Sequence, residues 1–360
     1  MKVALVYDRV NKWGGAERVL LALHELFPQA PLYTSVYSAK KAGWADVFVV
    51  KPSFLQRIPF AKTAHEWFAL LMPCVFESFT FAEYDLVISV TSEAAKGILT
   101  MPSTLHICYC LTPTRYLWSG HNDYFPSFLL SRLASLAVAY LRTWDKVASF
   151  RPDFFIAISE EVRTRIKNYY GRDSVVIHPP VDLFASQPVK KNKGEYYLIV
   201  ARLVPYKRVD LAIKACTRLG LPLKVVGIGS EFKRLRKIAG PTVEFLGAVS
   251  DEELINLYQH ATALLFPGLE DFGIVMVEAL GFGKPVIAFG KGGALDIVED
   301  GVTGVLFPTQ TIKDMIEAIQ KSQTISFQPS ILRRKAEFFA KEQFKHRLST
   351  YIAEICKSRK

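Results

Sequence analysis

Twice along this chain, short apolar runs rich in β-branched residues alternate with segments of helical period about 10–15 residues long. That alternation restricts the fold more than any other feature. The first series opens with KVALVY, a Gly-Gly loop and AERVLLALHELF, in which Val19, Leu20, Leu23, Leu26 and Phe27 share one helical face. It continues through YDLVISV (84–90), LHICYC (105–110), a helix expected over about 127–149, FFIAIS (154–159), the helix EEVRTRIKNYY, and VVIHPPVD. A polar, basic stretch with Pro and Gly but no apolar period follows, SQPVKKNKG (186–194). Beyond it the alternation restarts at YYLIVAR and runs to TGVLF. Strands joined by helices imply parallel sheets covered on both faces. The expected fold is α/β, with two Rossmann-like doubly wound domains: 1–185, a linker at 186–194, and 195–335. A basic helix over 336–360 is expected to pack back on the first domain. Tandem domains of this kind put a cleft at the carboxyl ends of both sheets.

Composition agrees with a folded two-domain chain: 360 residues, half of them hydrophobic, exclude both disorder and a single small module. The 45 Lys and Arg exceed the 34 Asp and Glu by 11, and residues 331–360 hold nine of the basic and three of the acidic side chains. Such a surplus attracts nucleic acid, anionic lipid and phosphorylated ligands alike. Zinc-finger spacing, an RNP-like aromatic motif and a block of five basic residues are all absent, so nucleic acid is not an expected partner. Cys74, Cys108, Cys110, Cys216 and Cys356 are scattered and form no metal-ligating spacing; a reducing compartment and no metal are expected. MKVALVYDRV reads as a strand rather than a signal peptide, and LASLAVAYL is too short to span a bilayer. The expected location is cytoplasmic, with peripheral contact at the inner face of the cell membrane.

Three stretches carry candidate chemistry. In PGLEDFGIVMVEAL, Glu270 and Glu278 stand eight residues apart at a strand end and helix start, which suits an elongated ligand. The amides of Phe272, Gly273 and Ile274 begin that helix, where N–H groups and the dipole favour phosphate or sugar oxygens. In ARLVPYKR, Arg202 and Lys207 follow another strand and could clamp a diphosphate. In WGGAERV, Gly14 and Gly15 let a ligand approach a helix N-terminus. Gly227-Ile228-Gly229 lacks the third glycine of the dinucleotide fingerprint, and no Walker sequence or Ser/His/Asp grouping is present.

The order GGAERV, HICYCLTPTRYLW, FIAIS, HPPVD, ARLVPYKR, PGLEDFGIVMVEAL and PVIAFGKGG resembles the family 4 glycosyltransferases of GT-B fold. The stretch from ESF to ISVTSEAAKG, the CYC-x-TPTRYLW block and GGALDIVEDG are most similar to the bacterial O-antigen mannosyltransferase branch, which uses GDP-mannose. The resemblance implies a retaining, metal-independent transfer from a nucleotide sugar to a glycan or polyprenyl-diphosphate-linked acceptor. It implies that Glu278 holds the ribose hydroxyls, that Glu270 faces the transferred sugar, and that Arg202 and Lys207 lie on the donor pyrophosphate. It further implies sugar contacts near Phe272, Gly273 and Ile274, and phosphates close to Gly15.

One position departs from the pattern: many relatives carry a histidine before Thr-Pro, and this chain has Leu111. Leucine can neither hydrogen-bond nor carry charge, which leaves His106 and His121 as conceivable substitutes and a non-catalytic binding homologue as the rival reading. The helix about 127–149 and the aromatics of HEWFALLMPCVFESF are candidates for lipid contact, with burial under the first sheet as the helix's alternative.

Overall fold

A computed structural model describes residues 1–63, 65–119, 128–183 and 194–358; of Glu66 and of 128–134 it describes the backbone alone. All but Gly194 of the expected linker therefore lies outside the described residues, as does His121. The chain divides into two compact units, one of residues 1–179 with 345–360 and one of residues 180–344.

The first unit is built on a seven-stranded parallel sheet: β1 (Val3–Tyr7), β2 (Leu32–Thr34), β3 (Val50–Pro52), β4 (Leu86–Thr91), β5 (Leu105–Cys110), β6 (Phe154–Ala157) and β7 (Val175–Val176). Their order across the sheet is β3-β2-β1-β4-β5-β6-β7. Every residue of β1, β4 and β5 is buried, which is why these strands read as continuous apolar runs. β2 and β3 went unread in the sequence: three residues each are too few to show a period. Met72, Val75 and Phe76 pack with Phe81, Tyr33 and Val87 beneath one face.

The second unit repeats the plan with six parallel strands: β8 (Tyr196–Val200), β9 (Leu223–Val226), β10 (Val243–Gly247), β11 (Ala261–Phe266), β12 (Val286–Phe289) and β13 (Gly304–Phe307). They lie in the order β10-β9-β8-β11-β12-β13. Helix Val209–Leu219 buries Val209, Ala212, Ile213 and Cys216 against Ile199, Val225 and Leu265. Each valine, isoleucine or leucine among them contributes about 1.5–3 kcal/mol when taken from water. Ser250 accepts from the Glu253 amide while Glu253 accepts from the Ser250 amide, so helix Asp251–His260 starts on a complete capping box.

The expected long helix is present as Phe128–Ala148. It is amphipathic in place rather than wholly buried: Val138, Leu141, Asp145 and Ala148 face inward while Leu136, Tyr140 and Val147 are exposed. The last helix, Lys341–Ser358, carries Leu348, Ile352 and Ile355 into the first unit, where Tyr351 meets Phe154 edge-on and Lys345 pairs with Glu25 at 2.9 Å. No described helix is long and apolar enough to cross a membrane.

Candidate functional site

Within the second unit, β8 and β11 are neighbours, and the order of strands reverses between them. In an open parallel sheet, the loops leaving such a pair diverge to opposite faces and leave a crevice at the carboxyl ends. Arg202 and Lys207 follow β8, and Glu270 lies on the loop after β11, with Glu278 in the helix Ile274–Gly281 beyond it.

The loop after β8 is held by its own backbone. Leu203 N–H donates to Ile228 O at 2.9 Å. A Cβ on Gly227 (φ +132°) would fall 1.8 Å from the Ala201 carbonyl oxygen, and one on Gly229 would fall 2.2 Å from that of Leu203. The Gly-Ile-Gly that fails as a dinucleotide fingerprint thus serves close packing against residues 201–203. A single 3-10 turn, Pro205–Lys207, then directs Lys207 back over the crevice, and Arg208 leaves that turn in the left-handed region at φ +49°.

The loop after β11 is fixed as tightly. Gln310 Nε2 donates to Pro267 O at 2.7 Å, and Gly293 N–H donates to Glu270 O at 2.9 Å. A Cβ on Gly292 (φ +65°) would meet Glu270 O at 2.4 Å, and one on Gly293 would meet Phe272 Cα at 2.3 Å. Phe272 is buried edge-on against Phe339, with ring centroids 5.6 Å apart. Gly273, at φ +100°, turns the chain into helix Ile274–Gly281, whose first amides have no partner within the helix.

The structure brings Lys207 and Glu270 together: Lys207 Nζ pairs with Glu270 Oε1, and neither side chain is more than one-fifth exposed. The same ammonium stands 5.6 Å from the Tyr206 ring centroid and 5.8 Å from that of Phe266. Arg202 stays exposed, with Nη2 donating to Tyr206 OH at 3.0 Å. Glu278 is only 3% exposed and its Oε2 accepts from Tyr258 OH at 3.0 Å. Tyr258 is in turn stacked on Phe282 at 5.2 Å. Sequence reading missed Tyr258, Gly292 and Gly293 as supports, because Tyr258 comes from helix Asp251–His260 and the two glycines from the loop after β12.

In the first unit, Gly14 precedes helix Gly15–Leu26 with φ 178°, an extended conformation open to any residue. What a side chain there would meet is Glu17 Oε2, 3.2 Å from a Cβ. Glu17 is buried and accepts from Tyr7 OH at 2.7 Å. Beside it, Asp8 gathers the loop after β4: its carboxylate accepts from Thr91 Oγ1 and from the amides of Ser92, Glu93, Ala94 and Ala95, all at 2.7–3.1 Å. Burial and the Glu93 charge nonetheless raise the Asp8 carboxyl above the ordinary aspartate range, against the pull of those amides.

The loop after β5 carries Leu111 and rests on another buried carboxylate. Asp145 Oδ1 accepts from Lys96 Nζ and from Thr114 Oγ1 at 2.9 Å; Oδ2 accepts from Trp118 Nε1 and Tyr170 OH, each at 2.8 Å. His106 does not replace the absent histidine. It is fully buried near the start of β5, with Nε2 at 2.9 Å from Ser89 Oγ, and burial with Arg151 and Arg172 pushes it down to about 3. Among the described residues, no three His, Cys, Asp or Glu side chains converge as a metal site would need.

Residues 182–336 match the family described as glycosyl transferases group 1. An uncharacterized glycosyltransferase of Methanocaldococcus jannaschii is 29% identical over 185 residues, covering 49% of this chain and 52% of its own. The D-inositol 3-phosphate glycosyltransferase of Mycolicibacterium smegmatis is 30% identical over 206 residues, covering 51% and 47%. The chain thus spans about half the length of the curated relatives it matches. Likeness in three dimensions is more extensive. The lipopolysaccharide outer core galactosyltransferase WaaB in its apo form aligns over 98% of this chain and 99% of its own, with TM-score 0.70 and 20% identity. Anabaena HepE in complex with UDP-glucose aligns over 98% and 100%, with TM-score 0.69 and 22% identity. The likeness to these solved structures shows the GT-B fold, and residues 182–336 match the group 1 glycosyl transferases.

Proposed function

We propose that the protein is a retaining glycosyltransferase that takes a sugar from a nucleoside-diphosphate donor held in the second unit. The observation that carries this reading is the pairing of Lys207 with Glu270 at the β8/β11 crevice, with Glu278 buried in the helix that follows. A diphosphate placed on the first amides of helix Ile274–Gly281 would meet Lys207 and Arg202, which neutralise the charge that grows as the glycosidic bond breaks. Glu270, anchored through its own carbonyl to Gly293, is held to face the transferred sugar. Glu278 offers its carboxylate to ribose hydroxyls, oriented by Tyr258.

In the transfer itself, the bond from the anomeric carbon to the β-phosphate oxygen breaks while an acceptor hydroxyl adds from the same face. The departing phosphate takes the hydroxyl proton, so the configuration is retained without a separate protein base. Lysine and arginine supply the positive charge that a metal supplies elsewhere, and full activity in EDTA is expected.

The donor we favour is GDP-mannose, on the resemblance of the ISVTSEAAKG and CYC-x-TPTRYLW blocks to O-antigen mannosyltransferases; the acceptor would then be a surface-polysaccharide or polyprenyl-diphosphate-linked glycan. A UDP-hexose is the second reading, supported by the UDP-glucose complex of HepE and by the galactosyltransferase WaaB. Calorimetric titration with GDP-mannose, UDP-glucose and UDP-galactose in EDTA separates the two, and analysis of the product's anomeric configuration tests retention. Binding of none of them, unchanged in Glu278→Ala, would favour a homologue without a donor site.

A further inference from the structure

Helix Glu160–Tyr170 ends on Gly171, whose amide donates to Lys167 O at 3.0 Å and whose φ of +71° turns the chain back towards the helix before β7 begins. One face of the helix and the turn 172–174 enclose a cavity of about 390 Å³, within the roughly 300–1,000 Å³ of small-molecule sites. Because the helix follows β6 and the turn precedes β7, the cavity lies at the amino edge of the first sheet. The loops after β1, β4 and β5, with Gly14 and Leu111, leave the opposite edge.

The charge of this cavity is positive: Arg163, Lys167 and Arg172 line it against Asp173 alone. Arg172 is fixed from behind. Its Nη1 donates to Ser149 O and its Nη2 to Pro152 O and Asp153 O, each at 2.9 Å, and the guanidinium lies 5.3 Å from the Phe155 ring centroid. None of those three acceptors is a carboxylate, so they orient the cation without cancelling its charge. Lys167 Nζ is placed by Asp173 at 2.8 Å; Lys167 first, and Arg172 after it, hold that carboxyl below the usual aspartate range. Arg163 pairs with Glu160 at 2.7 Å, an exposed helical pair of small worth that a bound anion can replace.

Neutral hydrogen-bonding groups complete the wall. Thr164 and Asn168 stand four apart on the same helix face, and neither side chain has a partner among the described residues. Ser174 Oγ is shielded from water and likewise unpartnered. A buried hydroxyl left so costs stability, which a ligand oxygen would restore. Oriented cations beside an uncommitted amide and two hydroxyls suit a ligand that is anionic at one end and hydroxylated at the other.

We propose that this cavity of the first unit is a binding site for a small sugar phosphate, with Arg163, Lys167 and Arg172 on the phosphate and Thr164, Asn168 and Ser174 on the hydroxyls. The inference does not rest on the donor reading.

Calorimetric titration of the full chain with glucose 1-phosphate, inorganic phosphate and glucose at matched ionic strength tests it. Glucose 1-phosphate should bind more tightly than inorganic phosphate, and glucose should give no heat. Arg163→Ala with Lys167→Ala should weaken glucose 1-phosphate by at least about tenfold. Thr164→Val with Asn168→Leu should bring it down to the affinity of inorganic phosphate. Both double variants should melt like wild type, because the four side chains are exposed. Lys207→Ala should bind as wild type does. Absence of heat with glucose 1-phosphate, or equal affinity of the wild type for the two anions, would overturn the proposal. So would binding that survives Arg163→Ala with Lys167→Ala and is lost in Lys207→Ala, which belongs to the crevice of the second unit.

Discussion

Lys207 Nζ rests on Glu270 Oε1, joining two loops that leave adjacent parallel strands of one sheet. The pair is partly screened from water, and its ammonium also lies over two aromatic rings, so it is presented at the crevice rather than free to wander. Removing the cation with Lys207→Ala should lower turnover about 100- to 1,000-fold, the range for losing one preorganised donor to a developing oxyanion. Glu270→Gln should also lose turnover. Steady-state assay with saturating donor, beside a thermal melt that moves little, checks both.

Tyr258 reaches Glu278 from the preceding helix and keeps the buried carboxylate from turning away. Tyr258→Phe should therefore fold normally yet weaken donor binding by about two- to tenfold, the worth of one hydrogen bond of roughly 0.5–1.5 kcal/mol. Glu278→Ala should abolish binding. Titration calorimetry of both variants reads the difference.

Gly293 has no room for a side chain, since Phe272 Cα would lie 2.3 Å from its Cβ. Gly293→Ala is expected to displace the 270–273 loop and remove donor binding, while the rest of the unit unfolds cooperatively as before. A variant that binds donor like wild type would contradict this account of the loop.

Asp145 holds Lys96 in a site where both side chains are nearly without solvent contact. Asp145→Ala leaves an unpaired buried ammonium and should cost about 3–5 kcal/mol. Lys96→Met with Asp145→Leu should recover part of that loss, because neither charge then remains buried. Urea unfolding of the single and double variants measures it.

His106 supplies a pH dependence of known sign. Its folded-state pKa of about 3 lies below the ordinary histidine value, so the unfolded chain takes up a proton that the folded chain refuses. The stability of the neutral imidazole is complete above about pH 6.5 and falls as pH drops towards 3, by up to about 1.4 kcal/mol per unit. His106→Gln should be less stable at neutral pH but lose less on acidification. Unfolding free energies measured between about pH 7 and pH 5 would show parallel slopes if this were wrong.

Much of this was legible in the sequence, and for identifiable reasons. β1, β4 and β5 are buried at every residue and β8 and β11 at all but one, so their apolar runs stand out, and Gly171 and Gly220 stop helices in the left-handed turn that glycine favours. Candidate residues on the loops after β8 and β11 were recognisable because ligands of doubly wound sheets meet strand ends. The adjacency of those two strands was not: their register comes from backbone pairing between segments some sixty residues apart, to which no local pattern refers. Nor could a sequence show that Lys207 meets Glu270, that Tyr258 orients Glu278, or that His106 is sealed inside a strand. Composition and period determine which faces are buried and where the chain turns. Partners across the sheet are decided by packing, because a side chain's charge, exposure and hydrogen bonds depend on neighbours that only the folded chain brings within reach.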